Sequence, residues 1–206
     1  MVQVQLRARG IHDERVLEAM ATLPRERFVP DDRRAVAYSD EALPIPAGQT
    51  ISQPWIVARM SELLAPQPGD RLLDVGTGSG YHAAILAMLG ARVTSIERQP
   101  ELAASARARL AELGFGDQVE IRVGDGSLGD PAGAPWDGIL VAAAAPAIPI
   151  SLREQLSQDG GRLVIPVGDM RRQKLLLVVR HGDTWEERDD GSVVFVPLVG
   201  EEGFPG

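Results

Sequence analysis

Leu72-Leu73-Asp74-Val75-Gly76-Thr77-Gly78-Ser79-Gly80 decides the fold of this chain. A short apolar run ends in an acid and passes straight into three alternating glycines, and an alanine-rich helical pattern begins near Tyr81. That order describes a buried parallel strand turning sharply into a helix, with bare backbone offered to a ligand. Glycine at 76, 78 and 80 removes side chains that would hold the ligand off and admits φ > 0 where the turn needs it. The first turn of the helix then presents unpaired N–H groups toward the same place.

Spacing separates the ligand classes that use such a turn. The dinucleotide pattern G-x-G-x-x-G needs its third glycine at position 81, where Tyr81 stands. A phosphate-cradling Walker loop needs Lys after the last glycine, and Gly80 is followed by Tyr81-His82. D-x-G-x-G-x-G at the end of a first strand resembles instead the motif of S-adenosylmethionine-dependent methyltransferases. A ligand-free glycine-rich βα loop is the bland alternative.

Two downstream acids favour a cofactor site. Ala91 to Ile96 reads as a second strand ending at Glu97, 21 residues after Gly76. Nucleotide-binding α/β folds place an acid at about that distance to accept both ribose hydroxyls. A third strand, Val119 to Val123, runs into Gly124-Asp125-Gly126, where Asp125 can accept from an adenine amino group or simply form an Asp-Gly turn. Asp74, Glu97 and Asp125 thus close three consecutive strands at the sheet edge where ligands bind.

Outward from this centre, the pattern is one of alternating strands and helices. His12 to Leu23 carries Val16, Leu17, Met20 and Leu23 on one face, with Asp13 placed to cap. Ile56, Met60, Leu63 and Leu64 mark a second helix with Pro54 in its first turn, closed by Pro66 and Pro68-Gly69. Leu102, Ala106, Leu110 and Leu113 mark a helix after the second strand. Gly138 to Val141 is a fourth strand; a short helix around Pro149 to Leu156 leads to a fifth, Leu163 to Val167. Leu175 to Val179 and Val193 to Leu198 leave no room for a helix between them and are expected as an antiparallel pair. The predicted fold is α/β and Rossmann-like: a mostly parallel seven-stranded sheet with an antiparallel C-terminal strand pair. Residues 1–65 are expected as an N-terminal helical cap carrying the substrate and cofactor loop, on a core of 66–206, in one integrated domain.

Composition narrows the function classes. At 206 residues the chain suits one domain with a substantial core. The formal net charge of −8 argues against nucleic acid as a partner. Arg25, Arg27, Arg33 and Arg34 do cluster, but Glu26, Asp31 and Asp32 interleave with them, as on a solvated helical surface. No apolar run approaches the ~20 residues of a membrane span, and no secretory h-region is visible, so a cytoplasmic site is expected. Cysteine is absent and His12, His82 and His181 are scattered without ligand spacing, so no metal is expected.

The chain resembles the protein-L-isoaspartate (D-aspartate) O-methyltransferase family nearly end to end. The most specific match is Gly48-Gln49-Thr50-Ile51-Ser52-Gln53-Pro54. Arg9-Gly10-Ile11, Phe28-Val29-Pro30, Ser95-Ile96-Glu97-Arg98, Gly124-Asp125-Gly126, Gly160 to Pro166 and Phe195 to Gly200 also fit. Members methylate the side-chain carboxylate of L-isoaspartyl residues in damaged peptides and proteins, and the ester collapses to a succinimide that reopens in part to normal aspartate. The resemblance implies that Gly76, Gly78, Gly80, Glu97, Asp125 and Gly126 hold S-adenosyl-L-methionine, with Gln49 and Thr50 closing over it and Asp74 shaping the loop. It implies Ser52 as the active-site hydroxyl. Backbone around Ile51, Gln53 and Pro54, and from Val196 to Leu198, would grip the substrate main chain. A monomer is the family expectation.

Local sequence leaves some of these roles open. Ser52 also suits an N-cap for the helix starting at Pro54. Val196-Pro197-Leu198 reads equally as a plain edge strand or as one that binds an extended peptide by strand addition. Trp55 reads as packing or as a lid. Ala142 stands where the family often has threonine, and His82 where glutamine is common. The alternative function is a carboxylate methyltransferase of the same fold dedicated to one peptide or small molecule.

Overall fold

A computed structural model describes residues 1–206. Helix α1 (Glu14–Thr22) starts where expected: the Asp13 carboxylate accepts from Arg15 N–H at 2.9 Å. A small antiparallel hairpin follows, β1 (Leu43–Pro44) with β2 (Thr50–Ile51), and leads into α2 (Pro54–Leu64). Then β3 (Arg71–Val75), α3 (Tyr81–Met88), β4 (Arg92–Glu97), α4 (Pro100–Glu112) and β5 (Val119–Val123) alternate. The chain continues through β6 (Gly138–Val141), α5 (Ile150–Glu154), β7 (Asp159–Gly168), β8 (Gln173–His181) and β9 (Thr184–Val193).

Strands β3 to β9 form one sheet in the order β5-β4-β3-β6-β7-β8-β9, parallel from β5 to β7 and antiparallel beyond. Strand order reverses at β3, which pairs with β4 on one side and β6 on the other. Open α/β sheets bind ligands in the crevice at such a reversal. Successive strand residues face opposite ways, and both faces are covered. Leu72, Leu140, Val164, Leu175 and Leu177 pack in a cluster shared with α1 to α4; Leu73, Val75, Ile139, Val141, Leu163 and Ile165 pack with Trp136, Leu152 and Leu156 on the other side. The larger cluster runs without a break from Leu6 to Leu177, so residues before β3 share the sheet's own core.

The last strand corrects the sequence reading. It is Thr184–Val193, not Val193 to Leu198, although it does pair antiparallel with β8. Thr184 to Asp190 is a polar run, tolerable because an edge strand pairs on one side only and leaves much of its surface to water. The apolar stretch that looked more strand-like instead crosses back over the carboxyl ends of the parallel strands. Ala144 N–H donates to Val196 O at 2.8 Å and Leu198 N–H to Ala144 O at 2.7 Å, while the Gln173 side chain holds Phe195 N–H at 2.6 Å.

Candidate active site

The glycine turn is fastened from below. Gly76, Gly78 and Gly80 all take positive φ (93, 52 and 87°), a conformation L side chains rarely adopt. Beneath them, Ser95 Oγ on β4 donates to Asp74 Oδ2 at 2.6 Å and lies 2.5 Å from Thr77 Oγ1, so strand and loop are tied through one hydroxyl. Asp74 is 1 % exposed and Oδ1 has no partner. Burial, opposed by the Ser95 hydrogen bond and aided by Glu97, pushes its carboxyl up to about 6. Because the folded value lies above the unfolded one, Asp74 opposes folding above about pH 6 and ceases to do so below about pH 4. Asp74→Asn is therefore expected to gain stability relative to the parent on going from pH 5 to pH 8, by about 1.4 kcal/mol. The two melting curves at each pH measure it; a gap independent of pH would contradict it.

Glu97 is no solvated strand-end acid. It is 5 % exposed, and its carboxylate accepts from Gly78 N–H at 2.9 Å and Gln99 N–H at 3.0 Å. An ionised carboxylate offers about four lone-pair sites, so two remain for a diol. It is the one carboxylate lining the cleft formed here. His82 also lines this cleft, with Nε2 3.0 Å from Ser61 Oγ. Ser61 gives its own proton to Val57 O, so Nε2 donates. Burial pushes the imidazole down to about 3, leaving it neutral.

The hairpin β1–β2 forms the facing wall. Gln49, Thr50, Ile51 and Ser52 all line the cleft opposite the glycine turn. Ser52 does not cap α2: the preceding residue is Gln53, and Asp40 Oδ1 takes Trp55 N–H at 3.1 Å while Asp40 Oδ2 takes Gln53 Nε2 at 2.7 Å. Its hydroxyl is thereby left for the cleft, and its carbonyl is anchored by Arg25 Nη2 at 2.7 Å. Arg25 corrects a second expectation. It is fully buried rather than solvated, with Nε on Ala37 O at 2.8 Å and its guanidinium 4.8 Å from the centre of the Tyr81 ring. Arg33 and Arg34 are exposed as expected. Trp55 takes the packing role: it lies half-buried against the main apolar cluster and under the Arg9 guanidinium, 4.7 Å from its ring centre, with Nε1 on Arg9 O.

The crossing segment completes the enclosure with Val196, Pro197, Leu198 and Val199. Pro197 sits opposite Ala144 and has no N–H, so the outward side of this segment offers little for strand addition. Of the predicted residues, the cleft gathers Gln49, Thr50, Ile51, Ser52, Gly76, Gly78, Glu97, Gly126, Val196 and Leu198. Gly126 is needed for close approach, since a Cβ there would lie 2.5 Å from Val75 Cγ1. Asp74, Gly80, Asp125, Gln53 and Pro54 stand outside the lining. Gly80 packs against α4, where a Cβ would meet Leu110 at 3.3 Å. Asp125 is tied to Ser127 N–H at 2.9 Å and Glu201 N–H at 2.8 Å, which pull it below the usual carboxylate range despite partial burial.

Sequence reasoning missed Arg25, Asp40 and Ser95, which touch the site from behind. Ala142, singled out for its missing hydroxyl, does stand at the site: with Thr50, Ser52, Val196 and Pro197 it lines both the cleft and a neighbouring surface groove that includes Gln53. The cleft suits S-adenosyl-L-methionine. It combines a glycine cradle, one carboxylate with free lone pairs, and apolar side chains from Val75, Ile96 and Leu198 for a flat base.

Fold and cleft together define a Rossmann-like S-adenosylmethionine-dependent methyltransferase. The family described as Protein-L-isoaspartate(D-aspartate) O-methyltransferase matches residues 1–203. The chain belongs to that family. It is 56% identical over 207 residues to Protein-L-isoaspartate O-methyltransferase 2 of Marinobacter nauticus, covering 100% of this chain and 94% of the relative. It is 55% identical to the Protein-L-isoaspartate O-methyltransferase of Methylorubrum populi, covering 100% and 96%. Among solved structures, a protein-L-isoaspartate O-methyltransferase superposes with TM-score 0.86 at 26% identity, over 98% of this chain and 67% of that one. A Plasmodium falciparum protein solved with S-adenosyl-L-homocysteine superposes with TM-score 0.81 at 25% identity, over 96% of each chain.

Proposed function

We propose that this chain transfers a methyl group from S-adenosyl-L-methionine to the side-chain carboxylate of L-isoaspartyl and D-aspartyl residues, initiating repair through a succinimide. One observation carries the reading: in a chain of this family, the Ser52 loop forms the common wall of a glycine-floored cleft and an open groove. The cofactor belongs in the first and a peptide main chain in the second.

When bound, the cofactor supplies a methyl group on a sulfonium sulfur, and a carboxylate oxygen can accept it without any proton transfer. The substrate carboxyl, with a solution pKa near ~4, is already ionised at neutral pH, so the chain needs no general base. Its task is to bind, orient and exclude water. Glu97 holds the ribose hydroxyls, and the backbone of Gly76 to Gly78 and of Gly126 lies along the cofactor. Ser52 donates its hydroxyl to one carboxylate oxygen and leaves the other free to react. Thr50, Ile51 and Val196 to Leu198 shield that oxygen from water; orientation of this kind can lower a barrier by ~7–11 kcal/mol. Neutral His82 adds no cation that would repel the sulfonium.

We read the enzyme as a cytoplasmic monomer acting on isoaspartyl-containing peptides and proteins, without nucleic acid or membrane. The net charge of −8 supports the part of that reading that leaves out nucleic acid, and no helix is long and apolar enough to cross a membrane. Labelled methyl transfer tests it. Several unrelated isoaspartyl peptides should accept label, and their normal-aspartyl twins should not. Transfer confined to a single sequence would favour a dedicated substrate instead.

A further inference from the structure

The groove beside the cleft has a charge that the rest of the chain does not. It encloses about 1220 Å³ and its lining carries Arg9, Arg171, Arg172 and Lys174 without a single carboxylate. The whole chain has 29 acids against 21 Lys and Arg, so this acid-free wall runs against the composition. Arg9 is paired with Asp40, and Lys174 with Asp189 at 2.6 Å. Arg171 and Arg172 form no ion pair. Both lie exposed at the tip of the β7–β8 hairpin. The nearest hairpin acid, Asp169, spends its Oδ1 on their backbone N–H groups at 2.7 and 2.8 Å, which shapes the turn and leaves the guanidinium groups free. Beside them Met170 and Val194 are 59% and 85% exposed, an apolar rim flanking the cations.

We propose that this groove selects isoaspartyl peptides whose neighbouring residues are acidic, with Arg171 and Arg172 holding the flanking carboxylates. The inference rests on the function proposed above. The groove shares Ser52 and Val196 with the cleft, so a main chain presenting its damaged side chain there must run along the hairpin tip. A peptide extended along the groove brings the side chains flanking its isoaspartyl residue toward Arg171 and Arg172, which line the same groove. Asparagine deamidation in acidic segments would then give favoured substrates. Exposed charges of this kind act on encounter and KM rather than on the reacting atoms, and salt weakens them.

The test is methyl transfer to three peptides with one isoaspartyl core and Glu, Gln or Lys at the flanking positions, on both sides. For the parent enzyme at low salt, KM should rise roughly threefold to tenfold from Glu to Lys flanks with kcat unchanged, and the spread should shrink in 0.5 M salt. Arg171→Gln with Arg172→Gln should flatten the series, and Arg171→Glu with Arg172→Glu should invert it. Equal KM values in the parent, or a spread that survives both double variants, would overturn the proposal. Failure of even the Gln-flanked peptide to accept methyl would instead refute the underlying activity, so the two failures are distinct.

Discussion

Ser52→Ala is expected to lower kcat on an isoaspartyl peptide by on the order of 10²-fold while leaving cofactor affinity nearly unchanged. The hydroxyl is small and the fold does not need it. It caps no helix, since Asp40 serves the start of α2, and the Ser52 carbonyl stays on Arg25 whatever the side chain. What is lost is one donor aimed at the carboxylate, so the nucleophile samples orientations from which the methyl carbon cannot be reached. Steady-state kinetics with varied peptide, beside calorimetry with S-adenosyl-L-homocysteine, separates the two quantities. Turnover equal to the parent would remove Ser52 from the chemistry.

Glu97→Ala should show the opposite split: the Kd for S-adenosyl-L-homocysteine rises about 10²-fold, and kcat at saturating cofactor is largely retained. Two hydrogen bonds from ribose hydroxyls to a buried carboxylate are each worth about 1.5 kcal/mol or more, and 1.4 kcal/mol is tenfold in Kd. Gly78 N–H also loses its acceptor, so the cradle itself loosens. Glu97→Gln keeps one acceptor and should fall between the two. Calorimetric titration gives the Kd directly, and an unaltered value for the alanine variant would exclude Glu97 from the cofactor site.

The parallel strands were legible because burial on both faces demands continuous apolar runs, and Leu72-Leu73, Ile139 to Val141 and Leu163 to Ile165 supply them. The glycine turn, Glu97 and the Gly48 to Pro54 segment were legible because chemistry fixes their residue types and spacing. Strand β9 was not, since an edge strand needs no apolar alternation and Thr184 to Asp190 has none. Arg25 was illegible for a related reason. A guanidinium among other charges reads as surface, and only the fold shows two backbone carbonyls and a tyrosine ring enclosing it. Asp125 and Gly80 were placed on the right turns, but their immediate neighbours are protein rather than open cleft.

The return of residues 195–204 across the strand ends has a bearing on assembly. This strip begins beside Gln173, is sewn to Ala144, and finishes where Glu201 and Glu202 meet Asp125 and Ser127. Every strand of the sheet precedes it in the chain, so a polypeptide halted after Val193 would own the complete scaffold yet lack one side of its donor chamber. The strip is also part of the core, with Leu198 buried and Phe195 and Val196 packed against it, so truncation upstream of Phe195 is expected to abolish methyl transfer and to weaken the scaffold as well.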